Sequence, residues 1–156
     1  MARPAGFWIR AVAALIDFGV FALVRMSLAV LAARVWRIDV DAALGLRGAL
    51  FTCTALFVVL YVVTLHTLDG QTLGKLIVRV RVVGANGEPP ALGASVLRFI
   101  GYFLSLLPFG FGFVMAGLRT DRRALHDLLA GTHVERLGAR AATAYAVPPP
   151  PVTRPL

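Results

Sequence analysis

Three long apolar stretches dominate the pattern of hydrophobic and polar positions along the chain. The second stretch, residues 48–68, carries no formal charge. As a helix rising ~1.5 Å per residue, it is long enough to cross about 30 Å of hydrocarbon. The first stretch, residues 7–33, is interrupted by Arg10, Asp17 and Arg25. It is too long for the core of a signal peptide and has an acidic residue in its middle, so we interpret it as an uncleaved transmembrane helix.

The third stretch, residues 99–118, is uncharged but has Pro108, Gly110 and Gly112 near its centre. Proline removes a backbone hydrogen bond and glycine weakens a helix, so the pattern predicts a break at Pro108–Gly112. The segment is then either one kinked spanning helix or a hairpin of two half-length helices. Arginine-rich regions flank it on both sides, and the positive-inside tendency favours the hairpin, with both flanks and the N-terminus in the cytoplasm. A kinked crossing with an external tail stays open.

The connector between the second and third stretches is polar and short. Residues 76–83 alternate between apolar and charged positions, which predicts a β-strand. Residues 136–156 are rich in Ala, Pro and Arg and are predicted to be a disordered tail. The sequence therefore predicts an all-α membrane protein with two spanning helices, a broken third segment and a short β-like cytoplasmic connector. Its transmembrane domain extends over residues 4–135.

Composition supports membrane insertion and changes how the charge is interpreted. Apolar residues make up 58% of the chain, charged residues 15%, and the mean hydropathy is +0.78. Soluble domains have about 45–50% apolar and about 25% charged residues. The net charge of +8 comes from arginines that interrupt apolar runs, which favours contact with the bilayer and its anionic lipid headgroups over nucleic acid. A single cysteine, Cys53, excludes an internal disulfide.

Asp17 is the most informative ionisable residue of the first stretch. It lies about 15 Å along the helix from Phe7, near the middle of a bilayer. A carboxyl group at that depth must face protein or water rather than lipid. Two interpretations follow: a proton- or cation-coupled site, or a structural carboxyl group that holds helices together. In the structural interpretation, its hydrogen-bond partner is Thr52, Thr54 or Tyr61 on the second helix.

Arg10, near the start of the same helix, has two interpretations as well. It contacts a lipid phosphate, or it binds a carboxylate elsewhere in the chain through its planar guanidinium. Asp121 and Asp127 are the candidates for the second role. We favour Asp127, because the leucines around it have the spacing of a short amphipathic helix that ends at Gly131.

Signals for other chemistry are weak. Residues 70–75 resemble a phosphate loop, but the spacing is one residue short, and we interpret Lys75 as a snorkelling side chain. The histidines lack metal-ligand spacing, and no nucleophile–base pair or cofactor motif is present. We therefore expect no catalytic residues, no metal site and no cofactor.

Three separated segments resemble one family, the RDD family of small bacterial membrane proteins. They are GFWIRAVAALID at residues 6–17, DGQTLGKLIVRVRVV at 69–83 and RRALHDLLAGTHV at 122–134. Arg10 and Asp17 fall on the family's arginine and first aspartate. We assign Asp127 to its second aspartate, with Asp69 and Asp121 as alternatives. The resemblance implies a multi-pass protein of the bacterial cytoplasmic (inner) membrane, with transport, including ion exchange, as the suggested activity.

From these residues we expect a transport-related protein with cation or proton coupling. Asp17 is the expected titrating or ion-binding group, and an Arg10–Asp127 pair is expected to hold the cytoplasmic end. One copy of the chain has too few helices to enclose a polar path away from lipid. We therefore expect a homo-oligomer or a membrane partner subunit. The alternative is a non-transporting scaffold or partner subunit whose charges only lock helices together. An enzyme is not expected.

Overall fold

The computed structural model describes residues 3–37, 43–107 and 111–137. Within these ranges the chain forms helices α1 (Phe7–Trp36), α2 (Leu44–Asp69), α3 (Leu73–Ile77), α4 (Leu92–Leu106), α5 (Phe111–Leu118) and α6 (Leu125–Leu129), and strands β1 (Arg3–Pro4), β2 (Val80–Val83) and β3 (His133–Arg136).

Helices α1 and α2 are long and apolar enough to cross a membrane. They contain 30 and 26 residues, with mean hydropathies of 2.0 and 2.2. Bulky apolar side chains such as Leu15, Leu23 and Leu56 are more than half exposed, an arrangement that suits lipid and not water. The two predicted spanning helices are thus confirmed as elements. They pack partly through Phe21, whose ring lies edge-on to those of Tyr61 and Phe57, with centroids 5.4 and 6.4 Å apart.

The third apolar segment is broken, as predicted. Helices α4 and α5 are bent by 100° relative to each other, and they pack closely where a Cβ added to Gly112 would lie 2.5 Å from the Cα of Ser105. Pro108 and Gly110 lie outside the described residues.

Both ends of this segment lie at the same end of the bundle. Arg98 of α4 contacts Asp127, which also binds Arg10 in the first turn of α1. Gly117, near the end of α5, lies beside Phe7, with 3.2 Å between its added Cβ and the Cβ of Phe7. A bent pair of this kind is either a broken span or a re-entrant hairpin, the two alternatives that the sequence leaves open.

A small antiparallel sheet with the strand order β1-β3-β2 lies beside the helices. Its valines Val80, Val82 and Val134 form a buried cluster with Ala5, which directly follows β1. The predicted strand at residues 76–83 is wrong in its first half, because α3 extends to Ile77 and the strand begins at Val80. The paired strand β3 lies some fifty residues further along the chain, a distance at which local sequence patterns carry no pairing signal.

Candidate functional site

Asp17 lies inside the bundle and faces protein, as its depth in α1 requires. Its side chain is 9% exposed. One carboxylate oxygen, Oδ1, accepts hydrogen bonds from the Tyr61 hydroxyl and the Gly74 amide, both at 2.9 Å. The other, Oδ2, accepts a hydrogen bond from the Thr72 hydroxyl at 2.5 Å. All three donors are neutral groups.

These contacts place Asp17 at the N-terminus of α3. The first backbone N–H groups of a helix have no partner within the helix and need acceptors from outside. Here the Gly74 amide donates to Asp17, and the Leu73 amide donates to the Tyr61 hydroxyl at 2.9 Å. The N-cap residue Thr72 makes no side-chain bond to its own helix. Residues from α1 and α2 therefore cap α3, and the carboxylate also complements the positive end of its dipole.

Gly74 makes this contact between α1 and α3 sterically feasible. A Cβ added at this residue would lie 2.0 Å from the Ala13 carbonyl oxygen and 3.0 Å from the Asp17 carboxylate carbon. The backbones of α1 and α3 thus touch at a point where only glycine fits.

A second cluster is formed around Asp127 at the end of the bundle. Its carboxylate, which is 0% exposed, binds the guanidinium groups of both Arg10 and Arg98. It also accepts a hydrogen bond from the Ala124 amide at 3.0 Å, which caps α6. Arg98 donates further to the Thr132 hydroxyl at 2.6 Å. The cluster ties α1 and α4 to α6 and to the start of β3.

The two arginines determine the charge state of Asp127. Burial by itself raises the pKa of a carboxyl group, but the guanidinium groups of Arg98 and Arg10 outweigh burial and hold the pKa of Asp127 below its usual range. Asp127 is therefore ionised at physiological pH. Arg10 is fixed in place by two more hydrogen bonds, to the carbonyl oxygens of Ala5 at 3.1 Å and Arg122 at 2.7 Å.

His126, next to Asp127, is neutral. Burial, reinforced by the positive charge of Arg98, lowers its pKa to about 2. Its Nδ1 lies 3.2 Å from the Ser105 hydroxyl oxygen, and its ring packs against those of Tyr102 and Phe113, with centroids 4.6 and 5.1 Å apart. The neutral ring packs like an aromatic side chain.

The structure brings together Arg10 and Asp127, the pair that the sequence analysis predicted. Their role in function stays a prediction. Of the alternatives for the second aspartate, Asp121 is exposed and pairs with Arg119 at 2.9 Å, while Asp69 is exposed at the end of α2.

Of the three alternative hydrogen-bond partners named for Asp17, Tyr61 makes the contact. Tyr61 binds Asp17, but Thr52 and Thr54 donate to carbonyl oxygens of their own helix, at 3.0 and 2.7 Å. Threonine hydroxyls in helices commonly bond to the carbonyl four residues earlier, which the sequence analysis did not weigh.

Sequence reasoning also missed the role of Lys75. Its amino group contacts Nε2 of His66, and its side chain is half-buried rather than extended to an interface. Nδ1 of His66 lies 2.7 Å from the Val62 carbonyl oxygen. A carbonyl only accepts, so Nδ1 carries the proton and Nε2 accepts from Lys75. Burial lowers the pKa of Lys75.

A cavity of about 340 Å³ connects these groups. Polar side chains from five helices and from the N-cap of α3 face it: Arg10, Asp17, His66, Thr72, Lys75, Arg98, Tyr102 and His126. The remaining walls are largely apolar and aromatic. Among the described residues, no group of three or more His, Cys, Asp or Glu side chains has the arrangement of a metal site.

Arg98 and the polar residues of α3 were recognisable in the sequence only as isolated polar positions. Arg98 directly precedes an apolar stretch. In the sequence it was therefore counted among the charges that set the orientation in the membrane. Its burial (1% exposed) and its contact with Asp127 depend on how α4 and α6 pack.

The comparisons with known proteins agree with the resemblance noted in the sequence. No solved structure matches the chain. The protein named "Uncharacterized protein YckC" of Bacillus subtilis (strain 168) is 32% identical over 138 residues, covering 85% of this chain and 84% of its own. The "Uncharacterized protein YxaI" of the same organism is 30% identical over 151 residues, covering 86% and 98%. The family model of the RDD family matches residues 4–131, so the chain belongs to the RDD family.

Proposed function

We propose that this RDD-family membrane protein carries out proton-coupled transport, with Asp17 as the group that takes up and releases the proton. One observation supports the proposal most: a carboxylate inside an apolar bundle binds neutral donors from two other elements and faces a cavity. Ionisable residues within membrane segments are costly and are characteristic of ion and proton pathways.

The partners of Asp17 favour a proton over a metal cation as the coupling ion. The hydroxyl groups of Tyr61 and Thr72 and the amide of Gly74 all donate to the carboxylate. Metal cations such as Ca²⁺ and Mg²⁺ require several oxygen ligands with free lone pairs. A cation at Asp17 would have to displace these donors, whereas a proton only has to bind one oxygen.

Protonation of Asp17 has a direct structural consequence for α3. A neutral carboxyl group accepts hydrogen bonds more weakly and complements the helix dipole less. Uptake of a proton therefore weakens the cap of α3, the helix that carries Lys75 to the cavity. The ionisable groups that share this environment are Arg10 from α1, Tyr61 and His66 from α2, Lys75 from α3, and Arg98, Tyr102 and His126 from α4 and α6.

For the orientation in the membrane, we propose that the N-terminus and both ends of the third segment are cytoplasmic. Arg10, Lys75 and Arg98 lie around the same end of the bundle, in agreement with the positive-inside tendency. The proposed location is the bacterial cytoplasmic membrane, where arginines at this end contact anionic lipid headgroups. We further propose that copies of the chain, or a partner subunit, complete the transport path.

Proton flux into liposomes tests the proposal. The purified protein is reconstituted with a pH-sensitive dye inside the vesicles, and the response to a pH jump is compared with that of protein-free vesicles. We expect wild type to accelerate proton entry and Asp17→Asn to lose most of that acceleration. Asp69→Asn is the matched control, because it removes an exposed aspartate of α2. Equal flux through wild type and Asp17→Asn would contradict the coupling role.

The second candidate function is a scaffold or partner subunit that transports nothing. The Asp127 cluster favours it, because a carboxylate with two arginine partners and a helix-capping bond has the pattern of a structural lock between α1, α4 and α6. This candidate predicts no flux through wild type, together with a lower unfolding temperature in detergent for Asp17→Asn and Arg10→Gln.

A further inference from the structure

Lys75 brings an ammonium group to the cavity without a described carboxylate in direct contact with it. Among the residues that the structure describes, no Asp or Glu oxygen lies within ion-pair distance of its Nζ, and its hydrogen-bond contact is the neutral ring of His66. Lys75 is also the single lysine of the chain.

The charges around the cavity leave a surplus of positive charge. Arg10, Lys75 and Arg98 face it, against the carboxylates of Asp17 and of Asp127 behind the two arginines. An uncompensated cation in a poorly hydrated site is unfavourable unless an anion neutralises it. The site thus has the electrostatic requirement of an anion-binding site.

The polarity of the cavity changes along the bundle. Lys75 and His66 are at one end, whereas Phe18 and Phe21 lie further along α1, and Val58 lies deeper in α2. These deeper walls offer few polar groups. A ligand that fills the space therefore needs a charged end at Lys75 and an apolar body beyond it.

A second cavity continues the apolar part. It measures about 510 Å³ and shares Val58, Phe99 and Phe103 with the first. At its far side is Arg25, about 22 Å along α1 from Arg10 at ~1.5 Å per residue. The two cavities adjoin at these three residues, and we refer to them together as the groove; its mostly apolar lining, from Lys75 to Arg25, is suited to an extended hydrocarbon chain.

We infer that this groove binds a single-chain anionic amphiphile, with its carboxylate or phosphate headgroup on Lys75 and its hydrocarbon chain along Phe21, Val58 and Phe103. The inference rests on the proposed function, for which it names the substrate class. An inorganic anion would leave the apolar walls without a ligand, a neutral lipid would leave Lys75 unpaired, and a metal cation would be repelled by the surplus charge.

The single lysine makes headgroup binding directly observable. Reductive ¹³C-methylation keeps the positive charge of Lys75 and labels one lysine side chain, whose NMR signal is followed in neutral-detergent micelles. Palmitate and hexadecyl phosphate are the two headgroup probes. Hexadecanol supplies the chain without charge, and acetate and inorganic phosphate supply charge without a chain, each at matched concentration.

We expect both long-chain anions to shift the Lys75 signal in a saturable way, and hexadecanol and the short anions to bind about tenfold more weakly or not at all. A larger response to palmitate than to hexadecyl phosphate assigns a carboxylate ligand, and the reverse a phosphate ligand. Either result supports the inference. Equal binding of hexadecanol and palmitate would overturn it, because the charge at Lys75 would then contribute nothing.

Variants separate the headgroup contact from general partition into micelles. In a displacement assay with a fluorescent long-chain anion, Lys75→Gln should bind about tenfold more weakly, and Lys75→Arg should retain most of the affinity. Arg79→Gln is the matched control, because it removes one positive charge from an exposed side chain of the same connector. Val58→Trp should obstruct the groove and weaken binding of the 16-carbon probe. Equal affinities of Lys75→Gln and Arg79→Gln would contradict the inference.

The test is independent of the transport assay. Binding is measured without a pH gradient, so the result does not depend on whether the protein moves protons. If the amphiphile binds but wild type shows no proton flux, the proposed transport fails while the site stands. If flux depends on Asp17 but Lys75→Gln binds the amphiphile as wild type does, the substrate assignment fails while the coupling stands.

Discussion

The protein contains two buried aspartates, and each links helices through a different kind of partner. Asp127 forms ion pairs with two arginines and so fixes α6 to α1 and α4 through full charges. Asp17 accepts hydrogen bonds from neutral groups and fixes α3 to α1 and α2. The contacts of Asp127 are charge-assisted on both sides, whereas those of Asp17 join a carboxylate to neutral donors. The first region links three helices through ion pairs, and the second contains the residue to which the proposed proton coupling is assigned.

The strongest test of this contrast is to remove the charge of Asp127. Asp127→Asn leaves the buried guanidinium of Arg98 without a counter-ion, and breaking one partner of a buried ion pair costs about 3–5 kcal/mol. We expect a large fall in the unfolding temperature in detergent. Asp121→Asn, at an exposed ion pair, should change stability by less than about 1 kcal/mol. Similar effects of the two variants would show that the cluster is not a structural lock.

The second test concerns the contact between α1 and α3. Gly74→Ala places a Cβ against the Ala13 carbonyl and should destabilise the protein by about 1–3 kcal/mol, because neither backbone can give way easily. Gly93→Ala is the opposite control: its added Cβ meets no atom within 4 Å, and a helical alanine should stabilise by about 0.5–1 kcal/mol. Thermal unfolding in detergent measures both. A neutral Gly74→Ala would mean that α3 is not docked as described.

The pH dependence of stability separates the contribution of His126 from that of its neighbour Asp127. The pKa of His126 is about 2 in the folded protein against about 6.5 for an ordinary histidine, so the unfolded chain binds the extra proton. Stability should therefore fall as the pH drops below about 6.5, by at most about 1.4 kcal/mol per pH unit. The contribution of Asp127, whose pKa is lowered, is present above its unfolded value of about 4 and is lost at lower pH.

His126→Gln should flatten the decrease in unfolding temperature between pH 7 and pH 5, while the loss below pH 4 persists. An unchanged slope between pH 7 and pH 5 would show that His126 does not cause it.

The smallest expected effect on stability is that of Asp17→Asn. The asparagine retains one acceptor oxygen, so one hydrogen bond at most needs to be rearranged, at a cost of about 1 kcal/mol. Unfolding temperatures of Asp17→Asn and Asp127→Asn, measured side by side, give the comparison directly. If Asp17→Asn is as destabilising as Asp127→Asn, the two regions do not differ in the way described.

Much of the fold could be predicted because it depends on local patterns. Helices α1 and α2 follow from uninterrupted apolar length, and α6 follows from leucine spacing and from Gly131, whose φ is +63°. The Arg10–Asp127 contact was predictable because a guanidinium binds a carboxylate well, and because the leucines around Asp127 have the spacing of a short amphipathic helix. The alternation at residues 76–83 misled the prediction, since Leu73–Ile77 forms a helix that Asp17 and Tyr61 cap from outside.

The sequence by itself determined that this protein has membrane-spanning helices and buried charges, because hydrocarbon imposes length and apolarity on each segment separately. Only the tertiary structure decided which charged side chains form ion pairs and which described one faces the cavity without an ion-pair partner. Arg98 joins Asp127, and Lys75 faces a cavity without a carboxylate partner in the described chain, because α3, α4 and α6 come together from distant parts of the sequence. Charge pairing depends on distances of a few ångströms, and the packing of the helices sets those distances.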